Sequence, residues 1–180
     1  MNSTDILRDE HALILKGVEI LDEVVRQLEG GGLINSAPLA PLVDFFRRFA
    51  DDCHHAKEEG ALFPVLEEAG YSTERGPLAV LKIEHEEGRA RLRALAADVA
   101  HFERKESRDR FIIDAREYGA LLRHHIHKEN DALLVLAERV LNSAQDRRLV
   151  SVFATYDRER QNTPGRYERV LGALSEEFAV

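Results

Sequence analysis

Two stretches of this chain, Asp52–Leu66 and Leu121–Leu136, each contain His-x-x-x-Glu, as His55 with Glu59 and as His125 with Glu129, 70 positions apart. Each copy runs into a similar apolar stretch, Leu62-Phe63-Pro64-Val65-Leu66 in the first and Ala132-Leu133-Leu134-Val135-Leu136 in the second. On a helix, positions i and i+4 lie one turn apart on the same face. An imidazole and a carboxylate spaced this way converge on one point. Two such helices facing each other supply two nitrogens and two carboxylates to a shared site. Histidine and glutamate are costly to bury without a compensating charge. A fold that buries both copies must therefore bring these helices together around a cation.

The rest of the chain supplies helices to hold them. Leu7, His11, Ile14, Val18, Leu21, Val25 and Leu28 alternate by fours and threes, the period of a helix with one buried stripe over about Thr4–Glu29. Ser3 or Thr4 suits its N-cap, and Gly30-Gly31-Gly32 its end. A second helix over about Leu39–Ala69 carries Leu42, Phe45, Phe46, Phe49, His55, Glu59, Leu62 and Leu66, with a kink expected at Pro64 and Gly60 leaving room for its ring. A third, about Pro77–Arg104, has the stripe Leu78, Leu81, His85, Gly88, Leu92, Leu95, Val99 and Phe102. Gly88 costs about 1 kcal/mol against Ala in a helix interior, so it is expected to make space beside a site or for a neighbouring helix. A fourth, about Asp109–Leu141, carries Phe111, Ala115, Tyr118, Leu122, His125, Glu129, Leu136 and Val140.

Residues 143–180 read as two further helices around a turn at Asn162-Thr163-Pro164-Gly165, packed as a hairpin on the outside or one end. Strand signals are absent. The fold class expected is all-α: an antiparallel up-down-up-down four-helix bundle over residues 1–142 with a C-terminal helical extension over 143–180.

Each long helix thus places one histidine on its core face: His11, His55, His85 and His125. The second and fourth add Glu59 and Glu129. A lone core histidine is accounted for by a backbone hydrogen bond. Six ionisable groups in the order H, HxxxE, H, HxxxE, with Glu10-His11 echoed by Glu84-His85, point to a metal site. His54, His101, His124 and His127 fall off the stripes and read as surface residues. Imidazole with carboxylate suits iron, manganese or zinc, and four histidines with two glutamates exceed one tetrahedral zinc. They fit two metals bridged by carboxylates. The Glu-x-x-His spacing of ferritin-like carboxylate bundles is missing from all eight histidines.

The segments RDEHALIL, HHAKEEGALFPVLEEAG, IEHEEGRARLRAL and HHIHKENDALLVLAERV together resemble the hemerythrin-like, or HHE cation-binding, family over about Asp5–Leu141. The resemblance implies a non-haem di-iron site with His11, His55, His85 and His125 as terminal ligands and Glu59 and Glu129 as bridges. Oxygen-carrying members have a second third-helix histidine one turn on. Here that position is Arg89, whose guanidinium has no free lone pair. One iron would then lack an imidazole, which sets reversible oxygen carriage aside in favour of sensing, iron handling or redox chemistry.

The expected ligand is a small diatomic molecule or peroxide: oxygen, nitric oxide or a peroxide-derived species bound or sensed. The alternative is a redox enzyme using the same site for peroxide breakdown or iron–sulfur repair. No Gly-x-Ser-x-Gly, P-loop or Gly-x-Gly-x-x-Gly competes. The net charge of −8 argues against a nucleic-acid partner. The single cysteine, Cys53, excludes an internal disulfide and suits a reducing cytoplasm. It reads as a small buried hydrophobe, and Tyr118 as a core residue. The N-terminus lacks a secretory pattern, and no stretch approaches the ~18 apolar residues of a membrane span.

Overall fold

Asn2, rather than Ser3 or Thr4, starts the first helix in the computed structural model, which describes residues 1–162 and 165–180. Its Oδ1 accepts from the Asp5 backbone N–H at 2.7 Å, and Asp5 Oδ2 accepts from the Asn2 N–H at 3.0 Å, a reciprocal capping box. Ser3 and Thr4 lie inside the first turn of α1 (Ser3–Glu29) and reach elsewhere, Ser3 Oγ to Asp146 and Thr4 Oγ1 to Glu138. The helix ends at the glycine run, where Gly31 takes φ +78°, a conformation that favours a residue without Cβ.

The second helix, α2 (39–68), is not uniformly α-helical. Leu39–Phe45 passes into π-helical turns at Phe46–His55 and Glu58–Leu62 before Phe63–Glu68 resumes the α form. In the wide turns the Ala56 N–H bonds to the Asp51 carbonyl and the Phe63 N–H to the Glu58 carbonyl, each five residues back. The irregularity expected at Pro64 therefore begins well before it. Pro64 opens the last α-helical piece, where a missing N–H costs little. Gly60 faces Tyr156 instead: a Cβ there would lie 2.1 Å from the phenolic oxygen.

Helix α3 spans Pro77–Val99, and α4 (105–140) runs from Lys105–Lys128 through a π turn at Glu129–Leu133 into Leu134–Val140. Helices α5 (Ser143–Glu159) and α6 (Arg166–Phe178) follow. Of the turn expected between them, Thr163 and Pro164 lie outside the described residues. No strand occurs among the described residues.

The apolar residues form two clusters with a polar layer between them. One contains Ile14, Phe45, Phe46, Leu92, Leu95, Tyr118 and Leu122; the other contains Leu7, Leu62, Phe63, Leu81, Leu133 and Leu134. Along α1 and α3 the chain passes from the second cluster to the first, through His11 and His85. Along α2 and α4 it passes the other way, through His54, His55 and Glu58 and through His125 and Glu129. The four helices are thus antiparallel in sequence order, with α1 and α3 each packed against both α2 and α4. This is the all-α bundle expected. Helix α5 adds Leu149 and Phe153 to the second cluster, and α6 adds Tyr167, Leu171, Leu174 and Phe178 to the first.

Tyr118 packs edge-on to Phe46, ring centroids 5.2 Å apart. A Cβ on Gly88 would meet only Tyr118 and Leu121 at ordinary distances of 3.7 and 3.8 Å, so no close approach demands that glycine. No helix among the described residues is long and apolar enough to cross a membrane.

Gly17 of α1 packs directly against the Phe45 ring of α2. A Cβ there would stand 2.5 Å from Phe45 Cε1, and the Phe45 ring is itself enclosed by Phe46, Phe49 and Tyr167. Overpacking costs roughly 1–3 kcal/mol, against about 1 kcal/mol of helix propensity gained. Gly17→Ala is expected to lower the thermal midpoint by a few degrees. An unchanged or higher midpoint would show that the Phe45 ring can move.

Candidate metal centre

The polar layer is built as a repeat in which α2 and α4 correspond at 71 positions, one more than the His55–Glu59 and His125–Glu129 motifs suggest, and α1 and α3 at 74. Helix α2 contributes His54 and Glu58, α4 contributes His125 and Glu129, and α1 and α3 contribute His11 and His85. His54, expected at the surface, is only 1% exposed. Glu59 does not enter the cluster. The adjacent carboxylate, Glu58, does, and it is completely buried. The physical reason is the π-helical geometry of α2: a ruler of 3.6 residues per turn assigns the face to His55 and Glu59, and the wider turns displace it.

Each repeated imidazole is oriented by its own acceptor. His54 Nδ1 donates to Glu10 Oε2 at 2.9 Å, and His125 Nδ1 to Glu84 Oε2 at 2.9 Å. His11 Nδ1 donates to Asn130 Oδ1 at 2.9 Å, and His85 Nδ1 to Glu59 Oε1 at 2.6 Å. The acceptors repeat as well: Glu10 and Glu84 each precede a histidine of the cluster, and Glu59 and Asn130 each follow a buried glutamate. Two lysines complete the pattern, Lys57 bonding Glu10 and Lys128 bonding Glu84. Glu59 is thus a buttress for His85 rather than a member of the cluster.

With Nδ1 carrying the proton, Nε2 of each neutral ring keeps a lone pair directed inward. His11 Nε2 lies 3.1 Å from Glu129 Oε2, and His125 Nε2 lies 3.1 Å from Glu129 Oε1. His54 Nε2 is 3.8 Å from Glu58 Oε1, and His85 Nε2 is 3.5 Å from Glu58 Oε2. Each carboxylate therefore presents one oxygen to the His11–His54 side and the other to the His85–His125 side. Both oxygens of Glu58, both of Glu129, and Nε2 of His11 and His54 are buried without a hydrogen-bond partner. His85 Nε2 and His125 Nε2 stand 3.0 Å apart, two lone pairs that need a proton or a cation between them.

The electrostatics agree. Burial, then the charge of Glu129, raises the Glu58 carboxyl well above the ordinary range. Burial also works against Glu129, but His125, His11 and His85 outweigh it and hold that carboxyl well below. Burial pushes His54 down to about 4 and His55 well below its usual value, which leaves both rings neutral. For His85, burial is outweighed by the nearby carboxylates of Glu129 and Glu59, and its affinity for a proton rises. Imidazole nitrogens gathered around buried carboxylates that lack hydrogen-bond partners make a cation-binding site without thiolate ligands, and these residues fit a metal.

The family model described as "Hemerythrin HHE cation binding domain" matches residues 2–137. The chain belongs to the hemerythrin HHE cation-binding family. It is also similar to uncharacterized proteins of Mycobacterium bovis (strain ATCC BAA-935 / AF2122/97) and of Mycobacterium tuberculosis strains CDC 1551 and H37Rv. Each is 26% identical over 164 residues, covering 89% of this chain and 63% of the relative. The chain thus spans less than two thirds of the length of these relatives. No solved structure gives a significant match.

Arg89 does not point to the cluster. Its guanidinium bonds Asp51 through Nε at 2.7 Å, Glu59 through Nη2 at 2.7 Å and Glu86 through Nη1 at 2.6 Å. Glu86 lies one turn before Arg89 on the same helix. Asp51 and Glu59 are the partners that sequence reasoning missed; Asp51 was detectable as the residue one turn before His55. Cys53 is buried, bonds Asp157 through its thiol at 3.2 Å, and is pushed by burial up to about 12, so it stays a thiol. His101, His124 and His127 are exposed.

A cation bound only by the folded chain stabilises it by about 2.7 kcal/mol at roughly 100 times Kd. Adding zinc or cobalt to metal-free protein is expected to raise the thermal midpoint by about 5–10 °C at that loading, reversibly with chelator. A midpoint indifferent to cation would show that protons alone satisfy the layer.

Proposed function

We propose that the chain holds two non-haem iron ions and uses them to bind or sense a small ligand of the oxygen, nitric oxide or peroxide class. The observation that carries this reading is the division of donors: Glu58 and Glu129 each offer one oxygen to His11 and His54 and the other to His85 and His125. A single ion could not use both sides of two carboxylates. Imidazole with carboxylate is a donor set suited to iron. Zinc or manganese would be held by the same atoms. When bound, iron supplies open coordination positions and one-electron chemistry.

The chain's own groups set the terms on which a ligand arrives. Glu10, Glu84, Asn130 and Glu59 fix the imidazole orientations, and outer carboxylates of this kind raise ligand basicity. The donor residues are at most 5% exposed, which excludes bulky substrates and water in quantity. Two open cavities, of about 870 and 460 Å³, share Asp51, Asp52 and Arg89 as lining residues. A small molecule entering there is separated from His55 by the Asp51 carboxylate. Tyr118 belongs to the apolar cluster beside the layer.

Metal analysis of protein purified without added metal, with its visible spectrum, tests the reading. About two irons per chain are expected. Glu58→Ala is expected to lose most of the iron. Glu59→Gln, which keeps an acceptor for His85, is expected to retain iron with affinity reduced by about 10–100-fold. Equal loss in both variants would contradict the assignment of Glu58 as the bridge. Saturable spectral change with nitric oxide or oxygen supports binding, whereas sustained consumption of excess peroxide would replace it with the redox enzyme.

A further inference from the structure

Helix α5 lies outside the residues matched by the family, yet it is seated on the stretch of α2 that carries His54 and Glu58. Tyr156 lies against Gly60, and Phe153 joins Leu62 and Phe63 in the second apolar cluster. Just beyond the helix, Arg160 donates through Nε to the Asp52 carbonyl. Among these contacts one carboxylate of α5 reaches inward. Asp157 Oδ1 takes the Lys57 ammonium at 2.8 Å, and it also accepts from Asn162 Nδ2 at 2.8 Å and from the Cys53 thiol at 3.2 Å.

Lys57 is a lysine with no exposed surface. Its ammonium carries three N–H donors. Among the described residues its carboxylate partners are Glu10 and Asp157, and the Phe153 ring centroid stands 5.8 Å from Nζ. The repeat equivalent, Lys128, bonds Glu84 and remains partly exposed, so water completes its shell. Lys57 has no such recourse. An ammonium buried against a single carboxylate recovers too little of its desolvation cost, and Asp157 is the second partner.

Glu10 divides its two oxygens between neighbours. Oε1 takes Lys57, and Oε2 accepts from His54 Nδ1 at 2.9 Å. His54 Nε2 is buried without a partner, so the hydrogen bonding of that ring rests on Nδ1 alone. If Lys57 releases Oε1, Glu10 is free to turn. The tautomer that directs an Nε2 lone pair into the layer then loses its fixed acceptor.

We infer that Asp157 is a positioning residue of the metal centre: through Lys57 and Glu10 it holds His54 with Nε2 toward the layer, which makes α5 part of the site rather than a cover on the bundle. The inference rests on the cation-binding reading of the layer, and on neither the number nor the identity of the ions. The competing role for Asp157 is purely structural, stabilising the fold without influence on a bound cation.

The test is cobalt(II) binding to the metal-free full chain, measured against a competing chelator well below the thermal midpoint, together with the imidazole N–H resonances of the nitrogen-15-labelled protein. Asp157→Asn keeps the shape of the side chain and removes its charge, while Phe153, Tyr156 and Arg160 still seat the helix. It is expected to bind cobalt about tenfold more weakly, with altered visible d–d bands. In the metal-free protein it is expected to shift the His54 Nδ1–H resonance and to leave that of His125, which Glu84 holds. Lys57→Met keeps the stem without the ammonium and is expected to weaken binding by a similar factor. Because both substitutions act through Glu10, the double variant is expected to lose about as much as either one; losses that multiply would overturn the relay. A lower thermal midpoint in Asp157→Asn with wild-type affinity, bands and His54 resonance would leave α5 a role in the fold alone and overturn the inference. Wild type that binds no cobalt would overturn it together with the cation-binding reading. A measurement on wild type needs no variant to fold: the Lys57 ammonium is expected to give a slowly exchanging proton resonance, and rapid exchange with solvent would overturn the relay.

Discussion

Two glutamates facing each other in a dry layer are the constraint on which the rest of this structure depends. Glu58 and Glu129 are fully buried, and none of their four oxygens has a hydrogen-bond partner. Left alone, such a pair would be driven to take up a proton or to open the bundle, because an unneutralised buried charge costs several kcal/mol. The surrounding residues do not relieve the pair with donors. Four imidazoles turn their Nδ1–H groups outward to Glu10, Glu84, Asn130 and Glu59, and so direct more lone pairs inward. A layer that accumulates acceptors in this way is stable only around positive charge. The two apolar clusters on either side fix the helices closely enough to keep it closed.

Much of this was legible in the sequence, because helical periodicity and buried charge are properties of the chain itself. The stripes of α1, α3 and α4 gave the bundle and its antiparallel order, and His11, His85, His125 and Glu129 were read from their places on those stripes. The reading slipped by one residue on α2. There the sequence offers doublets, His54-His55 and Glu58-Glu59, and an α-helical ruler must choose one of each. The chosen pair, His55 and Glu59, follows from continuing the Phe45–Phe49 face through a regular helix. The helix is not regular there, and no local propensity announces the π turns. One signal was available: at the 71-position register Lys57 aligns with Lys128 and Glu58 with Glu129, which a comparison by apolar runs passes over.

The same π-helical stretch explains why the centre departs from two-fold symmetry. A repeated helix pair delivers equivalent histidines and equivalent acceptors to both sides, and with 3.6 residues per turn it would deliver nothing more. Wider turns in α2 bring an additional ring inward on one side only, with Asp51 one turn earlier and Arg89 across from it. The arginine looked like a missing ligand when compared with oxygen-carrying relatives position by position. In the structure it is the hub of three carboxylates, and its charge offsets the Asp51 and Glu59 acceptors that face two of the imidazoles.

The C-terminal helices make the two halves differ in a second way. Lys57 and Lys128 are repeat equivalents, and each bonds the glutamate that orients a histidine of the cluster. Lys128 remains 31% exposed, whereas Lys57 is completely covered. The cover comes from α5, whose Asp157 bonds Lys57 Nζ at 2.8 Å and also accepts from the Cys53 thiol and from Asn162. A buried ammonium with one carboxylate would be a marginal arrangement; with two it is held charged, and despite burial the lysine's affinity for its proton rises. The chain Asp157–Lys57–Glu10–His54 therefore ties a helix outside the region matched by the family to an imidazole of the centre. On this side the lysine that holds the acceptor is sealed from solvent by the extension. On the other, Lys128 stays in contact with water, so the same lysine–glutamate support is covered in one half of the repeat and open in the other.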